Sequence, residues 1–153
     1  MISLKNPLSL LSFFLLLLSF PLVATPASPF EIEFLNQLNR VRSQEKLPSL
    51  LLDPTVQALS QEWSSHLAQE QKTVHRSSCS LIEFIKKHSY SFASENLHHS
   101  PQGNDPSFVL HRWMNSPIHR KNLLHPKLTH MGITTTQGKE GIWYVVWNGV
   151  VKN

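Results

Sequence analysis

His75, Glu95 and His119 are the side chains of this chain whose types fit a shared chemistry. Two neutral imidazoles can bind a divalent cation, and a carboxylate can join them as a ligand or activate the cation's water. A mixed His/His/carboxylate set with an open position suits zinc or a similar ion. His119 lies in the run Trp113-Met114-Asn115-Ser116-Pro117-Ile118-His119-Arg120-Lys121-Asn122-Leu123-Leu124. There a helix ending in an aromatic residue gives way to a fresh helix start at Ser116-Pro117, which mounts the imidazole beside a chain turn. Glu95 belongs to Ser94-Glu95-Asn96-Leu97. The three fall in separate elements, so only the fold can bring them together. The bland alternative is that each histidine packs or faces solvent, as some of the nine must.

Other groups carry less chemistry. Cys79 can act as a nucleophile beside a histidine, but no motif surrounds it, and a buried thiol is the expected state. His98 and His99 are either an extension of metal binding or a solvated pair. His66 and His111 read as residues at the border of core and water, and His125 and His130 flank Pro126. Trp143 and Trp147 share one side of the last strand, as core or groove wall. Arg120, next to His119, can meet an anionic ligand or simply solvent.

The elements that must position these groups begin with one repeated signal. Ser28-Pro29, Asp53-Pro54, Asp105-Pro106 and Ser116-Pro117 each place a capping side chain before a proline at the first helical position. Glu31 completes a capping box with Ser28. Phe30, Phe34, Leu38 and Val41 recur at helical spacing, and Val56, Leu59, Trp63 and Leu67 do so from Pro54 to about Glu70. A short helix is predicted from about Ser80 to Lys87, another over Pro106 to Asn115, and a last one carrying Ile118 to Leu124 that ends before Pro126. Phe92 to Leu97 reads as a short strand. Met131 to Thr136 and Ile142 to Trp147 read as a C-terminal hairpin, and His98 to Asn104 as a polar loop. Helices early and a hairpin late argue for an α+β fold over βαβ repeats.

Composition narrows the class. The 153 residues hold one cysteine, so no internal disulfide can form, and a formal net charge of +4. Arg40, Arg42, Lys86, Lys87, Arg120 and Lys121 are scattered without aromatic interleaving, which excludes a nucleic-acid partner and assigns them to solvated helix faces. At the N-terminus, Lys5, the apolar run Leu8 to Phe20, Pro21 and the small residues Ala24 and Ala27 read as an export signal over residues 1–24, shorter than a membrane span of ~20 apolar residues. Cutting after Ala27 is the alternative. One domain over residues 28–150 follows, with no stable membrane span once the signal is gone. Export with no disulfide pairs points to a bacterial-type envelope or secreted protein.

Asn36 to Arg42, the Trp63 helix, His75, Ser94-Glu95-Asn96-Leu97, the Trp113 to Leu124 block and Met131-Gly132-Ile133 together resemble the CAP superfamily (cysteine-rich secretory, allergen-antigen and plant pathogenesis-related proteins; the SCP domain), in its short bacterial-type form. The resemblance covers nearly all of residues 30 to 150. It implies an α-β-α sandwich with a small antiparallel sheet between helical layers, and a central cleft lined by His75, Glu95 and His119. It further implies that His75 and His119 can hold Zn2+ or another divalent metal. Two departures stand out. Where many animal and plant members carry a second glutamate, this chain offers Ser116, expected as a helix cap. Where a glycine usually precedes Glu-Asn, it has Ser94.

Three functions compete. The leading one is binding of a small-molecule, lipid or envelope ligand, or of a partner, through the cleft. The second is a metal-dependent hydrolase with Glu95 as candidate catalytic base, although no His-Glu-x-x-His helix is present. The third is a structural interaction module without metal. Architecture alone does not choose among them.

Overall fold

The computed structural model describes residues 26–153, so the export signal read over residues 1–24 lies outside the described residues. All four Ser/Asp-Pro signals open helices: α1 (Pro29–Gln44), α2 (Pro54–Glu70), α4 (Pro106–Met114) and α5 (Pro117–Leu123). At α1 the capping box closes both ways, Ser28 N–H to Glu31 at 2.9 Å and Glu31 N–H to Ser28 Oγ at 3.3 Å. Asp53 and Asp105 accept amide hydrogens at the starts of α2 and α4. The Ser116 hydroxyl does not do so at α5, a departure from its expected capping role. Helix α3 (Ser78–His88) starts two residues before the expected Ser80, because Ser77 caps it.

The sheet has the order β1-β3-β4-β2, built from β1 (Leu51–Leu52), β2 (Tyr90–Ser100), β3 (His130–Gln137) and β4 (Trp143–Lys152). β3 and β4 form the expected hairpin, β2 pairs antiparallel with β4, and the two-residue β1 adds a parallel edge to β3. β2 runs further than Phe92 to Leu97. His98, His99 and Ser100 pair with Val145, Tyr144 and Trp143, so they are strand residues and the polar loop shrinks to residues 101–105. Ser94 sits in regular strand without a positive φ, so the missing glycine leaves no strain there.

Alternation along the central strands divides the core in two. Met131, Ile133, Val145 and Trp147 face α1, α4 and α5, meeting Phe34, Leu38, Trp113 and Leu123. Tyr144 and Val146 face α2 through Leu67 and Ala68, and Val150 meets Val56. The result is the α-β-α sandwich. Asp53 ties its ends: besides capping α2, it accepts from Tyr90 Oη at 3.1 Å and from Lys152 Nζ at 2.9 Å.

Two further expectations are overturned. Arg42 lies wholly inside the fold, donating to the carbonyls of Pro48 (2.9 Å), Leu123 (2.7 Å) and His125 (3.3 Å). Cys79 is exposed, because it occupies the outer face of α3, a helix with no fully buried residue. Among the described residues no helix is long and apolar enough to cross a membrane.

Candidate functional site

β2 lies at the sheet's edge, and its period of two sends neighbouring side chains to opposite layers. Glu95 stands across from Asn148, which bonds Ser60 of α2, whereas Asn96 stands across from Trp147 in the α1/α4/α5 layer. Adjacent residues therefore reach the two segments that carry the histidines.

On the α2 side, Glu95 is buried, and its Oε1 accepts from His75 Nδ1 at 2.9 Å and from the Arg76 N–H at 3.0 Å. A carboxylate only accepts, so Nδ1 carries a proton in this contact, and in the neutral ring Nε2 keeps its lone pair. His75 itself keeps 59% of its side chain exposed.

On the α5 side, the Asn96 amide donates to the His119 carbonyl at 3.0 Å, and Asn122 donates to Asn96 Oδ1 at 2.8 Å and to the Glu95 carbonyl at 3.2 Å. This network fixes the turn of α5 bearing His119. Its Nδ1 lies 2.9 Å from Ser116 Oγ, leaving Nε2 without a partner there too. Burial, and then the positive charge that His75 carries when protonated, lower the pKa of His119. His75 and Glu95 thus touch, and His119 joins them through Asn96 and Asn122.

A family model described as the cysteine-rich secretory protein family, CAP, matches residues 35–148. The chain belongs to the CAP family. YkwD, an uncharacterised protein of Bacillus subtilis (strain 168), is 30% identical over 110 residues, which are 69% of this chain and 42% of that one. The chain thus spans less than half the length of this curated relative. Among solved structures, an outer surface protein of Borrelia burgdorferi matches at TM-score 0.68 and 20% identity, over 80% of this chain and 91% of that one. An extracellular SCP-domain protein of Bacillus anthracis matches at 0.65 and 22%, over 84% and 45%. NaASP2, crystallised with Zn2+, matches at 0.59 and 13%, over 80% of each chain. At these identities the likeness is one of fold.

In this CAP chain the side chains that would face a divalent ion are His75 and His119, whose Nδ1 atoms are engaged within the protein. Among the described residues no group of three or more His, Cys, Asp or Glu side chains converges as a cage. A bound ion would have two imidazole nitrogens at most from His75 and His119 and would need water or a ligand for the rest of its shell. Two open depressions of about 710 and 600 Å³, along α1 and between Phe30 and residues 102–106 at the loop leading into α4, include neither histidine.

The remaining candidates fall outside this contact set. His99 Nδ1 lies 2.9 Å from Thr73 Oγ1, His66 stacks on Trp63, His111 pairs with Asn115, His125 stacks on Phe92, and Arg120 is engaged by Glu45 at 2.6 Å. Arg76 and Trp63 are functional neighbours that the sequence did not mark as such. The Arg76 guanidinium lies 4.6 Å over the Trp63 ring, and its Nη2 donates to the Leu59 carbonyl at 2.8 Å. The only local hint was that Arg76 directly follows His75.

Proposed function

We propose that this CAP-family protein is secreted or held at the cell envelope, and that it binds a small-molecule, lipid or envelope ligand, or a protein partner, through the cleft of His75, Glu95 and His119. In this reading His75 and His119 hold a divalent metal, zinc or a similar ion, through their Nε2 atoms. One observation carries it: each ring has Nδ1 committed within the protein, His75 to Glu95 and His119 to Ser116. The Glu95 carboxylate sets the tautomer of the neutral His75 ring, while the Ser116 hydroxyl, able to donate or accept, fixes the direction of the His119 ring; holding one ring nitrogen and aiming the other is how metal-binding imidazoles are held. The bound ion would act as a Lewis acid toward an oxygen of the ligand. The surface or extracellular settings of two structural neighbours, and the zinc in a third, support the reading.

The hydrolase alternative draws no comparable support. Glu95 Oε1 already accepts twice and Oε2 is buried, so neither oxygen is open to activate a water without rearrangement. The deciding experiment is calorimetric titration of the metal-free protein with zinc beside a His75→Ala, His119→Ala double variant. Binding that disappears in the double variant is expected. Equal heats from the two proteins end the metal reading and favour a metal-free interaction module.

A further inference from the structure

We propose that Arg76 is the positioning residue of the cleft, locking the Val74–Arg76 segment onto α2 so that His75 keeps Nδ1 on Glu95 and Nε2 free. Residues 72–77 belong to no helix or strand, so nothing in the backbone pattern fixes His75. The neighbours on either side do. The Val74 carbonyl accepts from Trp63 Nε1 at 3.0 Å, and the Arg76 N–H donates to Glu95 at 3.0 Å. Beyond the backbone, the Arg76 guanidinium stacks on the same Trp63 ring, donates to Leu59 at 2.8 Å and meets Glu62 at 3.3 Å.

Charge explains why this position is cationic. Arg76 and Glu95 are 7% and 6% exposed, and burying either alone is costly. Arg76 Nε and Glu95 Oε2 have no other partner and face each other at 3.9 Å. The guanidinium thus supplies positive charge behind the carboxylate that orients His75. A lysine cannot replace it, since it lacks the planar fork and stacks less well on the indole.

Only the metal arm of the test rests on the function proposed above. The protein is labelled with 15N, and the His75 tautomer is read by NMR at mildly alkaline pH without metal, for the parent, Arg76→Gln and Arg76→Lys. Zinc affinity is measured on the same samples. The parent is expected to hold His75 as the Nδ1–H tautomer. In Arg76→Gln both tautomers should appear, and zinc affinity should fall about 10- to 100-fold, the usual effect of removing a group that orients a metal-binding histidine. Arg76→Lys should move the same way by less, and it carries the test if Arg76→Gln does not fold. A folded Arg76 variant with the parent's His75 tautomer overturns the proposal. So does a parent with mixed tautomers. A parent with the Nδ1–H tautomer and no zinc uptake sinks the metal reading alone and leaves the positioning role standing.

Discussion

Ser116 Oγ lies 2.9 Å from Nδ1 of His119, one helical turn on, and makes no bond to the amides at the start of α5. The residue that looks like a cap therefore orients the imidazole. Replacing a capping serine by alanine costs about 1 kcal/mol, so the two roles separate cleanly. Ser116→Ala should change unfolding free energy by less than about 0.5 kcal/mol while weakening the proposed zinc binding about tenfold. Urea denaturation and calorimetry on one preparation decide it. A full capping loss with zinc affinity intact would return Ser116 to the helix terminus.

The thiol of Cys79 is on the outer face of α3. It should react with a disulfide reagent in the folded protein at nearly the rate seen in denaturant, and Cys79→Ser should leave stability within about 0.5 kcal/mol. Strong protection in the native state would show a buried thiol.

His98 carries a pH dependence. Burial first, then the charges of His99, Arg112 and His119, push its pKa down to about 4. Unfolded, the ring titrates near 6.5. As pH falls through that value the unfolded chain takes up the proton first, so the stability due to neutral His98 is complete above about 6.5 and is lost towards 4. Urea unfolding at stepped pH should show the parent losing more stability than His98→Leu across that window. Parallel curves would mean that the folded ring protonates freely.

What could be read from the chain follows from the range of the forces involved. The Ser/Asp-Pro signals act over a few residues, so the starts of α1, α2, α4 and α5 were visible, whereas α3, capped by Ser77 without a proline, was placed two residues late. His98 and His99 read as loop because an edge strand needs no apolar alternation; their strand pairing comes from Val145 and Tyr144 of β4. Arg42 read as a surface charge because two of its three acceptors, the Leu123 and His125 carbonyls that cover it, lie 81 and 83 residues away. The site behaves likewise. The family resemblance pointed to His75, Glu95 and His119, but the Arg76 clamp depends on α2 and on a buried carboxylate from β2, which no local spacing shows.

Gly132, in the Met131-Gly132-Ile133 run, marks where α2 crosses β3. A Cβ there would lie 2.5 Å from the Val56 carbonyl and the Gln57 amide nitrogen, backbone atoms that cannot swing aside. The same approach lets the Gln57 side chain take both polar groups of Ile133, at 2.9 and 2.7 Å. Gly132→Ala should push α2 outward, break that pair and cost roughly 3 kcal/mol or more. A loss below about 1 kcal/mol in urea denaturation would show that α2 can step back without penalty.

Arg42 tests whether the His119 helix can be loosened from a distance. Its guanidinium binds the Leu123 and His125 carbonyls at the end of α5, the helix that begins two residues before His119, and burial lowers its pKa. In Arg42→Met two effects oppose. The apolar chain removes the cost of burying a cation, and the carbonyls lose donors worth about 1–3 kcal/mol together. A modest net destabilisation is therefore expected, about 1–3 kcal/mol. The local signature is sharper: amide exchange should quicken in α5 well before α2 or β4, and the proposed zinc binding should weaken although neither histidine is touched. Exchange that quickens evenly across the fold would mean that Arg42 supports the whole core and has no special hold on the His119 helix.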